Sequence, residues 1–200
     1  VLNDAYTNVL GDIIVSAGTI SYLGPFTMDF RNKLVKEWQD GLVAQDIPHS
    51  QGCDLESTLT DPVKVRSWQI CNLPSDSLST QNGIIMDNGR RWPLLIDPQT
   101  QAIKWLRKKE EENGLEVFQL NQKGWQRKVE QAMVNGRTII VENLGVDIDA
   151  TMDPVLSRAI YKKGRNRYIK FGGEEIEYDG EMHTAANLFD AMKEGYYGKF

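Results

Sequence analysis

Eight residues, Asp97-Pro98-Gln99-Thr100-Gln101-Ala102-Ile103-Lys104, lie where the apolar segment "WPLLI" (92–96) gives way to a helix-forming stretch. A strand–loop–helix junction is a ready anion site, because free N–H groups at a helix start and the helix dipole both favour negative charge. In its glycine-rich form, G-x-x-x-x-G-K-[ST], main-chain N–H groups cradle phosphate. The lysine reaches the β/γ oxygens and the hydroxyl binds magnesium. On that spacing Asp97 and Ala102 hold the two glycine places, Ile103 the lysine place and Lys104 the hydroxyl place.

Each replacement works against phosphate. Asp97 sets a negative charge in the cradle, Pro98 removes an N–H donor, and Ile103 carries no charge. Lys104 comes one residue late, about 100° around a helix of 3.6 residues per turn. Gln99, Thr100 and Gln101 bring polarity but no cation. The companion motif, an apolar strand ending in Asp-Glu, orders magnesium and polarises water; "TIIVEN" (138–143) ends instead in Glu142 and Asn143. Glu142 can help order a metal, but Asn143 cannot accept a proton. No catalytic residue, bound nucleotide or metal is therefore expected in this segment.

The elements that would position these residues follow from periodicity. "WPLLI" (92–96), "LEVFQL" (115–120) and "TIIVEN" (138–143) read as strands, separated by helices over about 100–112 and over "KGWQRKVEQAMVNG", the latter ending at Gly136. Short links between them imply right-handed crossovers and a parallel sheet buried on both faces. "NRYIKFGGEEIEYD" reads as a hairpin turning at Gly172-Gly173.

Upstream, residues 4–23 carry Leu10, Ile13, Ala17 and Ile20 at helical spacing, apolar enough all round to predict a helix enclosed by neighbours. Gly24-Pro25 breaks it. A second helix follows with Thr27 as N-cap and Phe30, Leu34 and Trp38 on one face. Between 47 and 92 turn signals abound, with a helical turn expected after Asp61-Pro62 and a strand at "GIIM" (83–86).

Composition narrows the function. The apolar share of 40% supports a real core, and a net charge of −5 argues against a general nucleic-acid binder. Cys53 and Cys71 form neither metal-ligand spacing nor a disulfide framework, and no N-x-[ST] site occurs, which fits a reducing cytoplasm. "IIVSAGTISYLGPF" (13–26) is shorter than the roughly 20 apolar residues of a spanning helix, so no membrane insertion is expected. Val1 is not an initiator methionine, so the chain reads as an excised piece.

Several segments together resemble the dynein heavy chain: "GDIIVSAGTISYLGPFT", "IPHS…LTDPVKVRSWQICNLPSDSLSTQNGII", "RWPLLIDPQTQAIKWL" and "IIVENLGVDIDATMDPVL". They match the stretch from the base of the microtubule-binding stalk into the fifth AAA+ module of the motor ring. "RWPLLIDPQ" and "ENGLEVFQLNQKGW" look more like axonemal, outer-arm chains than cytoplasmic ones. The resemblance covers about residues 1–179. It implies an α/β fold: a P-loop-NTPase-like (AAA+) parallel sheet flanked by helices, incomplete at the C-terminus and preceded by α-helices of the stalk base.

On that resemblance residues 1–45 are stalk-base helices entering the ring, 46–179 the large part of a degenerate module, and 180–200 a divergent tail. The parent would be a minus-end-directed, ATP-driven microtubule motor of cilia and flagella, located in the cytoplasm, the cytoskeleton and the axoneme. ATP and magnesium would sit only in its other modules. Partners implied are the neighbouring AAA+ modules, the stalk and buttress coil, the microtubule through the stalk, and dynein intermediate and light chains, with no nucleic acid and no membrane. The tail "GEMHTAANLFDAMKEGYYGKF" reads as helix-like, with Leu188 and Met192 on one face, leaving the sheet one strand short.

Two other readings use the same residues. One is a stand-alone P-loop-like nucleotide-binding enzyme with an atypical loop. The other is a free interaction module whose 4–45 helices bind a partner helix. Asp147, Asp149 and Asp153 have a calcium-like spacing, but Met152 and Arg158 stand where that loop needs glycine and glutamate, so an acidic helix start is expected. "KKGRNRYIK" (162–170) reads as a solvated hairpin edge and "RKKEEE" (107–112) as a solvated helix face with Arg107–Glu111 and Lys108–Glu112 pairs. Trp68, Trp92, Trp105 and Trp125 read as core or interface residues, while His49, His183, Ser57, Ser67 and Ser79 lack catalytic context.

Overall fold

A computed structural model describes residues 2–89, 91–178 and 188–191. The chain divides into two compact units, Val1–Arg90 and Arg91–Phe200. Within the first unit, helices after residue 45 pack with those before it.

The first unit is helical: α1 (Leu2–Tyr22), α2 (Met28–Ala44), α3 (Leu55–Leu59), α4 (Pro62–Ile70) and α5 (Ser77–Asn88). Its turn signals are helix starts. Asp54, Asp61 and Asp76 each accept a hydrogen bond from the backbone N–H three residues on, and Pro62 occupies the first turn of α4. The strand expected at "GIIM" is the middle of α5, with Gly83, Ile84 and Met86 buried. A Cβ on Gly83 would lie 3.1 Å from the Trp68 ring, so the glycine admits a close approach of α4 to α5.

Helix α1 also departs from its expected burial. Leu10 and Ile13 are exposed, and the face that packs inward carries Gly11, Val15, Ser16 and Thr19. Small residues win there because neighbours come too close for large ones. A Cβ on Gly11 would stand 2.4 Å from the Pro48 carbonyl oxygen, and one on Gly18 2.8 Å from the Trp38 ring. Asp12 secures the same contact, accepting from the backbone N–H and hydroxyl of Ser50, both at 2.7 Å. On α2 the buried residues are Arg31 and Leu42, whereas Phe30 of the expected apolar face is exposed.

The second unit holds a parallel sheet of β1 (Leu94–Leu95), β2 (Glu116–Phe118), β3 (Ile139–Leu144) and β7 (Leu188–Ala191), in the order β1-β7-β3-β2. Helices α6 (Gln101–Lys109) and α7 (Trp125–Val134) are the crossovers, as the short links required. Gly136, at φ 63°, follows α7 in the left-handed conformation that stops a helix. The tail corrects the sequence reading: Leu188–Ala191 is a strand between β1 and β3, pairing Phe189 with both Leu94 and Val141. The expected gap in the sheet is thus filled. Four residues are too few for periodicity to separate a strand from a helix; the two open edges decide it. Met192 and His183 lie outside the described residues.

After β3 come a 3-10 turn (Ala150–Met152) and α8 (Asp153–Leu156), then an antiparallel meander of β4 (Ile160–Lys163), β5 (Asn166–Phe171) and β6 (Glu174–Tyr178). The hairpin at Gly172-Gly173 forms as expected, with β4 as an additional strand. Ile169, Phe171 and Ile176 turn inward onto Phe118, Trp125, Val129 and Val141, so meander and parallel sheet share one core. The Trp125 ring stacks with Phe118 and meets Phe171 edge-on, at centroid distances of 6.3 and 6.2 Å.

Candidate functional site

Just before β1, Trp92 ties the chain to the end of α8. The Trp92 indole N–H donates to the Val155 and Leu156 carbonyls at 3.1 and 3.0 Å, at the end of α8, and the Arg158 guanidinium lies 4.5 Å from the ring centroid. The chain then passes Asp97 and Pro98 and reaches Thr100, at φ 55° and ψ 29°. A β-branched residue in the left-handed region is uncommon and needs surrounding structure to hold it.

Asp97 supplies that hold. Its Oδ1 accepts the Gln101 N–H at 2.9 Å and its Oδ2 the Ile103 N–H at 3.0 Å, while the Thr100 N–H donates to the Asp97 carbonyl at 3.2 Å. One carboxylate therefore bridges two of the free donors at the start of α6 and spans the left-handed residue. The position that a phosphate oxygen would take against those N–H groups is filled by the chain's own anion. Pro98, Gln99, Thr100 and Lys104 are exposed, and Ala102 and Ile103 are half-buried.

On β3, Glu142 is half-buried and accepts from Arg107 of α6 at 2.6 Å. The solvated pairing expected for 107–112 gives way here: Arg107 reaches across to β3, and α6 ends at Lys109. Asn143 is exposed at φ 53°, where the β3–β7 register shifts between Val141 and Leu144. Both ends of the candidate site thus carry a non-glycine residue in the left-handed region. The structure brings Asp97 to the helix start, and Glu142 to Arg107.

Glu110 and Arg31 are two charged residues whose burial carries no sequence signal. Glu110 closes α6 and turns inward, accepting from Lys109 at 2.8 Å and from Asn113 and the Thr138 hydroxyl at 2.9 Å each. Burial alone pushes its carboxyl up, but those hydrogen bonds and the Lys109 charge outweigh it and leave it below the ordinary value. Nothing in "RKKEEE" marks which carboxylate will turn in; the Thr138 hydroxyl that receives it is 28 residues away.

The remaining candidates resolve into structural roles. Asp149 accepts from Thr151 N–H and starts the 3-10 turn, so the acidic cluster opens a helical segment. Among the described residues no group of three His, Cys, Asp or Glu is placed to hold a metal ion. Lys163 of the basic hairpin pairs with Glu175 at 2.6 Å. Trp68, Trp105 and Trp125 are buried. Ser57 and Ser79 bond the helix-capping Asp54 and Asp76. No helix among the described residues is long and apolar enough to cross a membrane.

Residues 66–184 match the family described as the ATP-binding dynein motor region. That match runs slightly past residue 179, where the sequence motifs end. Among curated proteins the chain is 42% identical over 177 residues to "Dynein axonemal heavy chain 3" of Mus musculus, covering 88% of this chain and 4% of that protein. It is 42% identical over 189 residues to "Dynein axonemal heavy chain 1" of Rattus norvegicus, 94% of this chain and 4% of that one. It is 43% identical over 175 residues to "Dynein beta chain, flagellar outer arm" of Chlamydomonas reinhardtii, 87% and 4% respectively. The chain thus spans about 4% of the length of these relatives.

Proposed function

Because the chain belongs to the ATP-binding dynein motor region family, we propose that it is one ring module of an axonemal dynein heavy chain, and that this module transmits force without hydrolysing nucleotide. The parent is then an ATP-driven microtubule motor of cilia and flagella, working in the axoneme. This module is the fifth of its ring, and residues 1–45 lead from the stalk. Its partners are the neighbouring modules, the stalk and buttress of the same chain, and through the whole complex the microtubule and the intermediate and light chains.

The observation that carries this reading is the Asp97 carboxylate seated on the Gln101 and Ile103 N–H groups. A magnesium-bound triphosphate does not suit these residues. It would have to displace a covalently tethered anion from the helix start, with Ile103 where a lysine should neutralise it and Arg107 drawn off to Glu142. Asn143 supplies no base at the end of β3. The α/β unit nonetheless keeps a tightly packed core, which is what a force-transmitting body requires.

The test is a titration of fluorescent ATP with magnesium against the soluble chain. No saturable binding is expected up to about millimolar nucleotide, an affinity weaker than about −4 kcal/mol. Saturable binding at micromolar nucleotide, abolished by Glu142→Gln, would instead favour a nucleotide-binding enzyme with an atypical loop.

A further inference from the structure

Arg31, near the start of α2, is 1% exposed, and among the described residues its five hydrogen bonds all run to uncharged oxygens. Its Nε donates to the Leu23 and Phe26 carbonyls at 3.1 and 3.0 Å, and Nη2 to the Gly24 carbonyl at 2.9 Å. These three carbonyls belong to the tight turn between α1 and α2. On its other edge the guanidinium reaches α5, with Nη1 donating to Gln81 Oε1 at 3.2 Å and Nη2 to Asn82 Oδ1 at 2.6 Å. Burial draws its affinity for the proton down from the ordinary arginine value.

Leu23 anchors one end of this turn by its own burial, but the glycine beside it adds no packing. A Cβ on Gly24 would meet nothing within 4 Å. A Gly-Pro turn between two long helices is a natural pivot, yet here a flat cation with donors in fixed directions sits inside it. A buried guanidinium cannot release one acceptor cheaply, because the freed donor is left without water. The turn and α5 are therefore gripped by the two edges of one rigid group.

We propose that Arg31 is a positioning residue that welds the α1–α2 corner to α5, so that α1 swings together with α5 and does not pivot at Gly24-Pro25. The mechanical consequence, that movement of α1 is carried into the bundle, rests on the force-transmitting reading above; the weld itself does not.

Hydrogen exchange on the intact heavy-chain motor tests the weld with two variants. Arg31→Lys keeps the charge but loses the planar fork. The pair Gln81→Ala and Asn82→Ala leaves Arg31 and the turn sequence untouched and cuts only the tie to α5. In both, exchange at the Leu23–Phe26 turn should accelerate by about tenfold or more, the scale of losing a charged hydrogen bond. Wild-type turn exchange in the α5 pair would overturn the weld, since Arg31 would then merely close its own turn. The same proteins are assayed for basal and microtubule-stimulated ATPase. A fall of about fivefold in stimulation with basal rate unchanged extends the weld to force transmission. Faster exchange with full stimulation keeps the weld and removes the relay role.

Discussion

Asp97 and Ile103 stand six residues apart, and the Oδ2 of the first accepts the backbone N–H of the second at 3.0 Å, across a left-handed Thr100. The contact matters because, on the proposed alignment with a phosphate loop, Asp97 takes the first glycine place. A charge that merely repelled phosphate would leave the helix start open to other anions. A charge that caps the helix consumes the donors themselves. On the proposed alignment, the same residue both disfavours an anionic ligand and takes its place on the N–H groups.

Removing that carboxylate should therefore weaken the fold without creating a nucleotide site. Asp97→Ala is expected to cost about 1 kcal/mol, the usual worth of a helix cap, measured as a lowered urea midpoint with unchanged slope. Fluorescent ATP should still fail to saturate, because Ile103 and the Arg107–Glu142 pair remain. An unchanged midpoint would show that the Gln101 and Ile103 N–H groups do not depend on Asp97.

The close approaches on α1 predict two different costs. At Gly11 an added Cβ meets a backbone oxygen at 2.4 Å and the His49 Cβ at 2.6 Å, so the 47–50 loop must move. At Gly18 it meets the outer edge of the Trp38 ring, which can tilt. Gly11→Ala is expected to destabilise by about 2–3 kcal/mol, and Gly18→Ala by no more than about 1 kcal/mol once alanine's better helix propensity is included. Equilibrium urea unfolding of the two variants side by side ranks them, and equal midpoints would contradict the packing.

The sheet was legible where three apolar segments were separated by amphipathic stretches, since only β-α-β-α-β with short links satisfies that order. "GIIM" misled because a glycine followed by three apolar residues looks alike in a buried strand and a buried helix; the cap at Asp76, seven residues earlier, was the signal that decided it. Leu188–Ala191 gave no such cue, and its place depends on edges contributed by β1 and β3. At the candidate site, residue types led to the expectation that Asp97 opposes phosphate. Its capping of α6 depends on backbone torsions at Thr100 that no spacing encodes. Arg31 was hidden for a related reason: its acceptors are carbonyls, which every residue has, and two amides some 50 positions away.

Glu110 makes stability depend on acid. Its carboxyl is held below the ordinary glutamate value near 4.5, burial being outweighed by Lys109, Asn113 and Thr138. A lowered folded value means the stabilisation is complete above the unfolded value. It is lost as pH falls through the folded one, because the unfolded chain takes up the proton first. Between pH 7 and about 5.5 the group should contribute a constant amount, and from about 4.5 downward the unfolding free energy should fall. Glu110→Gln keeps the shape and part of the hydrogen bonding but cannot titrate. It should start about 1–2 kcal/mol lower at pH 7 and lose less on acidification, so the two curves converge at low pH. Denaturant midpoints at pH 7, 5, 4 and 3 for both proteins provide the check. Parallel curves would mean that the buried carboxylate near Thr138 has no part in the acid sensitivity of this α/β unit.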